Sequence, residues 1–257
     1  MEAERSGSVI RLTDVNCRLG RGPADREGSV QGKDALLALM DDFSVEKAVA
    51  YGALAQYGDP LQGNDLLTRE TEGSDRFLRQ WAVLPALWDL YPAPEEWVNR
   101  MKQARVCSVR LFPKHYGHSL RRYAAGELMD ALSRRNLPAF IDFGQLSSWD
   151  ALFDLCRDYP QNRFVVCATG YRCLRWLVPL LDHCPNLYAE TSTLLTHDGL
   201  SELCRHGYGD RLLFGSGFPE GSLASAASQL LLSDLSEAEK QKIGALNAHR
   251  LFSEVVL

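Results

Sequence analysis

The chain has 257 residues, 46% apolar and 24% charged, a balance that fits one large or two small globular domains and excludes a disordered or low-complexity protein. Its 28 basic and 33 acidic residues give a net charge of -5 without a dense basic run, which argues against nucleic acid or an anionic membrane surface as partner. The acidic opening MEAERSGS is not built like a secretion signal, no apolar stretch is long enough to span a bilayer, and seven cysteines without a C-x-x-C pair suit reduced thiols in the cytoplasm.

From residue 9 onward, short apolar runs alternate with amphipathic stretches. The runs cover residues 8–17, 45–52, 76–86, 105–113, 137–144, 163–170, 186–191 and 211–219, and residues 1–8 are expected to be flexible. Between them, Lys33 to Phe43, Leu120 to Arg135 and Trp149 to Tyr159 carry apolar residues at helical spacing. Pro138, Pro160 and Pro185 stand between a helix and the next strand, where the residue before proline is turned away from helical geometry. Arg18 to Gly32 and Gly52 to Asn64 are rich in glycine and read as irregular loops. Eight strand-helix units in about 250 residues predict one domain over 1–257, an α/β fold of the single (β/α)8 TIM-barrel class, with its site at the C-terminal ends of the strands.

Four stretches then point to a family. DVNCRLG (Asp14 to Gly20), PNLYAETS (Pro185 to Ser192), RLLFGSGFP (Arg211 to Pro219) and NAHRLF (Asn247 to Phe252) resemble, in order and spacing, motifs of the amidohydrolase superfamily, in the amidohydrolase-2 branch of small-molecule hydrolases and non-oxidative decarboxylases. The resemblance runs from about Leu12 to Phe252. It implies a divalent ion, usually zinc, held by two histidines of the first strand, histidines ending the fifth and sixth strands, and an aspartate ending the eighth. Here those positions carry Asn16, Arg18, Asp142, Ala168 and Gly217. Catalytic zinc takes about three protein ligands, and a permanent guanidinium repels a cation, so the expectation is no metal and no other cofactor.

A buried guanidinium needs a counter-charge, and Asp142 is the expected partner of Arg18 across the lumen. A simple structural salt bridge in a dead site reads equally well. Arg110 shares a strand face with Ser108 and points inward, followed by Lys114 and His115. With Asn16, Arg18 and Arg172 after the sixth strand, these residues form a basic lining suited to a small carboxylate or phosphate. Glu190 and Glu220 either face the mouth as acids or bases or pair locally, and Trp88 and Tyr91 stand where they can reach the mouth. His115 and His118 have H-x-x-H spacing but no third ligand, so ordinary surface roles are favoured. Cys17 and Cys167 are expected to face the outer helices, and Ser216 lacks the glycine spacing of a nucleophile elbow.

Three functions remain open. The first is a metal-free pseudoenzyme that binds a small anion through Asn16, Arg18, Arg110, Lys114, His115 and Arg172. The second is an active metal-independent hydrolase of lactones, esters or amides, or a decarboxylase-like enzyme, in which Arg18 or Arg110 polarises the carbonyl and Asp142 or Glu190 is the base. The third is a structural or partner-binding subunit, and a homo-oligomer fits any of them.

Overall fold

A computed structural model describes residues 10–25 and 31–257; the expectation for residues 1–8 lies outside the described residues. Eight parallel strands form one sheet in the order β1 (Leu12–Leu19), β2 (Val45–Gly52), β3 (Phe77–Ala82), β4 (Val106–Leu111), β5 (Ala139–Asp142), β6 (Phe164–Cys167), β7 (Leu187–Glu190) and β8 (Leu212–Leu213). The seam between β8 and β1 closes through Val15 N–H to Phe214 O at 2.9 Å and Arg18 N–H to Phe218 O at 2.7 Å. The result is a nearly closed (β/α)8 barrel.

Side-chain alternation divides the core into two layers. On β6, Phe164 and Val166 pack outward against the helices, while Val165 and Cys167 join Val15, Val49, Phe140 and Leu213 inside the barrel. Cys17 does pack in the outer core as expected, but Cys167 belongs to the lumen, because β6 ends one residue before Ala168 and fixes the phase of the alternation there. A register shift between Asp14 and Cys17 lets the sequence neighbours Val15 and Asn16 both serve the interior. The C-terminal helix, Asn247–Ser253, closes the lower end with Ala248 and Leu251, and His249 bonds Thr13 Oγ1 at 3.0 Å.

One expected loop is helical. Gly52 to Asn64 forms α1 (Ala53–Tyr57) and the start of α2 (Pro60–Glu70). Asp59 caps α2 by accepting from Gln62 N–H at 2.9 Å, and Pro60 occupies the first helical position. Gly63 serves close packing rather than freedom, since a Cβ there would collide with the Ala55 backbone. The expected Arg18 to Gly32 loop starts later than read: Arg18 and Leu19 complete β1, and residues 26–30 lie outside the described residues. Among the described residues no helix is long and apolar enough to cross a membrane.

Candidate functional site

A cavity of about 920 Å³ opens at the C-terminal ends of the strands. Its floor and walls take Asn16 from β1, Tyr51 from β2, Arg110 from β4 and Asp142 from β5; Lys114 and His115 stand at the rim. α1 adds Gln56 and Tyr57, and the segments after β7 and β8 add Ser192, Ser216, Gly217 and Glu220.

The cationic centre of this wall is Arg110, with only 1% of its side chain exposed. Its Nη2 pairs with Asp142 Oδ1, its Nη1 donates to Gln80 Oε1 at 3.1 Å, and the guanidinium lies 4.1 Å from the centroid of the Tyr51 ring. Burial opposes the charge most strongly of any single influence, but Asp142 together with Tyr51, Cys167 and Glu190 outweighs it and raises the Arg110 pKa. Nε keeps no partner. Gln56 is a second buried polar residue of the lining, and its Oε1 is also unpartnered. A buried donor and a buried acceptor without partners are costly in an isolated fold.

Arg18 is fully buried but does not meet Asp142. Its Nη2 donates to both Asp25 oxygens at 2.9 Å and to Glu220 Oε1 at 2.7 Å. Nε reaches Glu220 Oε1 at 3.1 Å, and Nη1 reaches Gly20 O at 2.7 Å. Gly22 lies over this fork, where a Cβ would approach Nη1 to 2.9 Å. The physical reason for the altered pairing is proximity. Arg110 pairs in register with Phe140, which places Asp142 two residues further on the same face of the adjacent strand. Arg18 sits at the β1–β8 seam, where the flanking loops supply their own acids. Burial disfavours its charge, and the hydrogen bonds it donates to Asp25 and Glu220, with the attraction of the Glu220 charge, together overcome this and raise its pKa. Arg18 therefore does not line the cavity, and neither does Arg172, which is exposed with its guanidinium 5.1 Å from the Tyr171 ring centroid.

Beneath Asn16 and Ser192 lie two buried carboxyls. Glu190 accepts from Asn16 Nδ2 at 3.0 Å, from Ser192 Oγ at 2.9 Å and from Ser192 N–H. Asp14 Oδ1 accepts from Asn16 N–H at 3.0 Å and Ser216 N–H at 2.9 Å. Burial pushes Glu190 up to about 7; the bonds from Ser192 oppose the rise and Asp14 adds to it. Burial also raises Asp14, against its bonds to Ser216 and Asn16. Of the two acids considered for the mouth, Glu220 lines it while paired with Arg18, and Glu190 is held below it.

The other candidates separate. His115 lines the main cavity, its Nδ1 2.9 Å from Gln145 Nε2, whereas His118 lines a neighbouring cavity of about 580 Å³. Trp88 is 87% exposed, and neither it nor Tyr91 lines the cavity. Burial raises the Cys17 and Cys167 thiols well above their ordinary range, which keeps them protonated and poor nucleophiles. Sequence reading missed Gln56, which fell in the segment read as a loop, and Ser192, whose signal is a glutamate two residues earlier at a strand end.

The residues at the family's metal positions do not fit a divalent ion. Asn16 gives its amide to Glu190, Arg18 brings a fixed positive charge, Asp142 is bound to Arg110, and Ala168 and Gly217 have no donor side chain. Among the described residues no group of three or more His, Cys, Asp or Glu is arranged to hold a metal.

An eight-stranded α/β barrel with a polar, partly cationic cavity at its C-terminal mouth defines the class of this protein. The chain belongs to the amidohydrolase family, whose model, described as Amidohydrolase, matches residues 22–253. No curated protein matches it. Among solved structures, an uncharacterized TIM-barrel protein from Bordetella bronchiseptica is similar at 14% identity and TM-score 0.75, over 95% of this chain and 99% of that one. A dihydroxybenzoic acid decarboxylase from Polaromonas, with bound manganese and the inhibitor 2-nitroresorcinol, is similar at 15% identity and TM-score 0.76, over 95% and 97%. A 5-carboxyvanillate decarboxylase from Novosphingobium aromaticivorans, complexed with manganese and 4-hydroxy-3-methoxy-5-nitrobenzoic acid, follows at 14% identity and TM-score 0.74, over 95% and 96%.

Proposed function

We propose that this member of the amidohydrolase family binds a small carboxylate anion at the barrel mouth without a divalent ion or other cofactor. The observation that carries this reading is Arg110, which lines the cavity with its guanidinium held in place by Asp142 and Gln80. A pre-positioned guanidinium suits a planar oxyanion, and Lys114 adds a second positive charge at the rim. Tyr51, Tyr57 and Leu195 supply an apolar and aromatic side to the same cavity. The decarboxylases of similar fold are named for aromatic acids, which makes substituted benzoates the first ligands to try.

The roles assigned from sequence change accordingly. Arg110 is the anion-holding group, Asp142 positions it, Asn16, Lys114 and His115 complete the wall, and Arg18 is structural. The metal-dependent chemistry of the family is lost with its ligand set. The protein works in the cytoplasm, where its seven cysteines stay reduced, and neither nucleic acid nor membrane is its partner.

Isothermal titration of hydroxybenzoates, short aliphatic carboxylates and phosphate, in chelator, tests this. Saturable binding of a carboxylate to wild type, weakened at least about tenfold by Arg110→Met, is the expected outcome; loss of one charge-assisted bond of about 1.5 to 3 kcal/mol gives that factor. Silence across the panel, or equal affinity in the variant, refutes the reading.

A further inference from the structure

The GSG turn after β8 does something that neither the family's metal chemistry nor anion binding uses. Its first glycine makes room for β7, and its second leaves the space beside Ser192 open. A Cβ on Gly215 would stand 2.5 Å from Glu190 Oε1, and a Cβ on Gly217 would stand 3.4 Å from Ser192 Oγ. Gly217 also has φ +69°, a conformation that side chains rarely adopt. The position where the resemblance places a metal-binding aspartate is therefore open, and the space lies over the Ser192 hydroxyl. Ser192 and Gly217 both line the main cavity.

The Ser192 hydroxyl donates to Glu190 Oε2 at 2.9 Å, within the range a base needs to take a proton. Glu190 is itself fixed by Asn16 Nδ2 on Oε2 and by Ser192 N–H on Oε1. A nucleophile in hydrogen-bond contact with a base that a third group orients is the general arrangement for covalent catalysis. Burial holds this carboxyl close to neutrality, where a general base is most effective.

We infer that Ser192 is a nucleophile, with Glu190 as its general base, for acyl transfer from a carboxylic ester or lactone to water. Ser192 Oγ passes its proton to Glu190 and bonds to the carbonyl carbon. The carbonyl–oxygen bond to the leaving group then breaks, and the departing alkoxide takes the proton from Glu190. Water, deprotonated by Glu190, attacks the acyl-serine; the acid leaves and Ser192 recovers its proton. The oxyanion forms in a cavity whose cations are Arg110 and Lys114. The inference uses the same cavity as the proposed carboxylate binding but not its preference for anions.

The test is labelling of the full chain with a neutral fluorophosphonate, read by intact mass and peptide mapping. Wild type is expected to carry one adduct, on Ser192, Ser192→Ala none, and Glu190→Gln is expected to label at least about a hundredfold more slowly, the lower range for loss of a general base. Ser192→Cys guards against a folding defect in the alanine variant: its new thiol should react with iodoacetamide ahead of the native cysteines. No adduct on wild type, an adduct on Ser216 or elsewhere that survives Ser192→Ala, or unchanged labelling in Glu190→Gln overturns the inference. Because the probe carries no anionic group, failure here leaves carboxylate binding standing, and failure of carboxylate binding leaves this result standing.

Discussion

Removing Asp142 is expected to cost more stability than removing Arg110, although the two form one ion pair. The Arg110 side chain is 1% exposed and that of Asp142 20%. Asp142→Ala strands a buried guanidinium with only Gln80 and the face of Tyr51 for company, and an uncompensated buried charge costs about 3 to 5 kcal/mol. Arg110→Met fills much of the same volume with apolar atoms and leaves behind a carboxylate that water reaches through the cavity. Its cost is about 1.5 to 3 kcal/mol, the scale of a lost charge-assisted hydrogen bond. The double variant removes both charges and should recover most of the Asp142→Ala loss, because two coupled sites do not add. Urea unfolding of the four proteins gives the cycle directly. In a melting experiment, at about 2 to 4 °C per kcal/mol for a chain of this size, Asp142→Ala falls about 10 °C below wild type. Arg110→Met as the more damaging single change, or additive losses in the double variant, would refute the reasoning.

The buried Glu190 sets a pH dependence. Its folded value, raised from 4.5 to about 7, means the native state keeps a proton that the unfolded chain releases. The stabilisation is therefore complete below about pH 4.5 and declines as pH rises through 7, by about 3 kcal/mol in all. Glu190→Gln, with Asn16 turning its amide to match, should flatten that slope in urea unfolding between pH 4.5 and 8; an unchanged slope counts against the assignment. Arg18→Lys cannot reproduce the fork to Asp25, Glu220 and Gly20 and should lose about 2 kcal/mol, measurable in the same way, whereas wild-type stability would mean the fork contributes nothing. Gly215→Ala drives a methyl group into the Glu190 carboxylate, so it should lower the melting temperature and abolish Ser192 labelling; wild-type behaviour in both would show that the glycine is not needed there.

The barrel was legible because each strand is a compact apolar run followed by a helix-forming stretch, and β2 falls on Val45 to Gly52 as read. Strand ends were less legible, since the residues after β6 and β8 look strand-like in sequence but already turn into the mouth at Ala168 and Gly217, both with positive φ. Alternation placed Arg110 correctly in the wall. It could not choose the partners of Arg18, because period-two spacing fixes a face and not which loop acids fold back on it; Asp25 and Glu220 were nearer than the acid on β5. Gln56 is hidden in the sequence because Gly52, Gly58 and Gly63 read as loop punctuation while in the fold they serve as close helix contacts. The E-T-S turn carrying Ser192 reads as an ordinary motif until the structure sets Gly215 against Glu190 and the Ser192 hydroxyl on its carboxylate.

We propose that guanidinium–carboxylate pairs stand in this barrel where the family holds a metal. Elemental analysis of the protein after equilibration with zinc and manganese and removal of free ions tests it most directly. The expected result is metal far below one ion per chain, unchanged by Asp142→Asn; one tightly held ion per chain, lost in that variant, would contradict it.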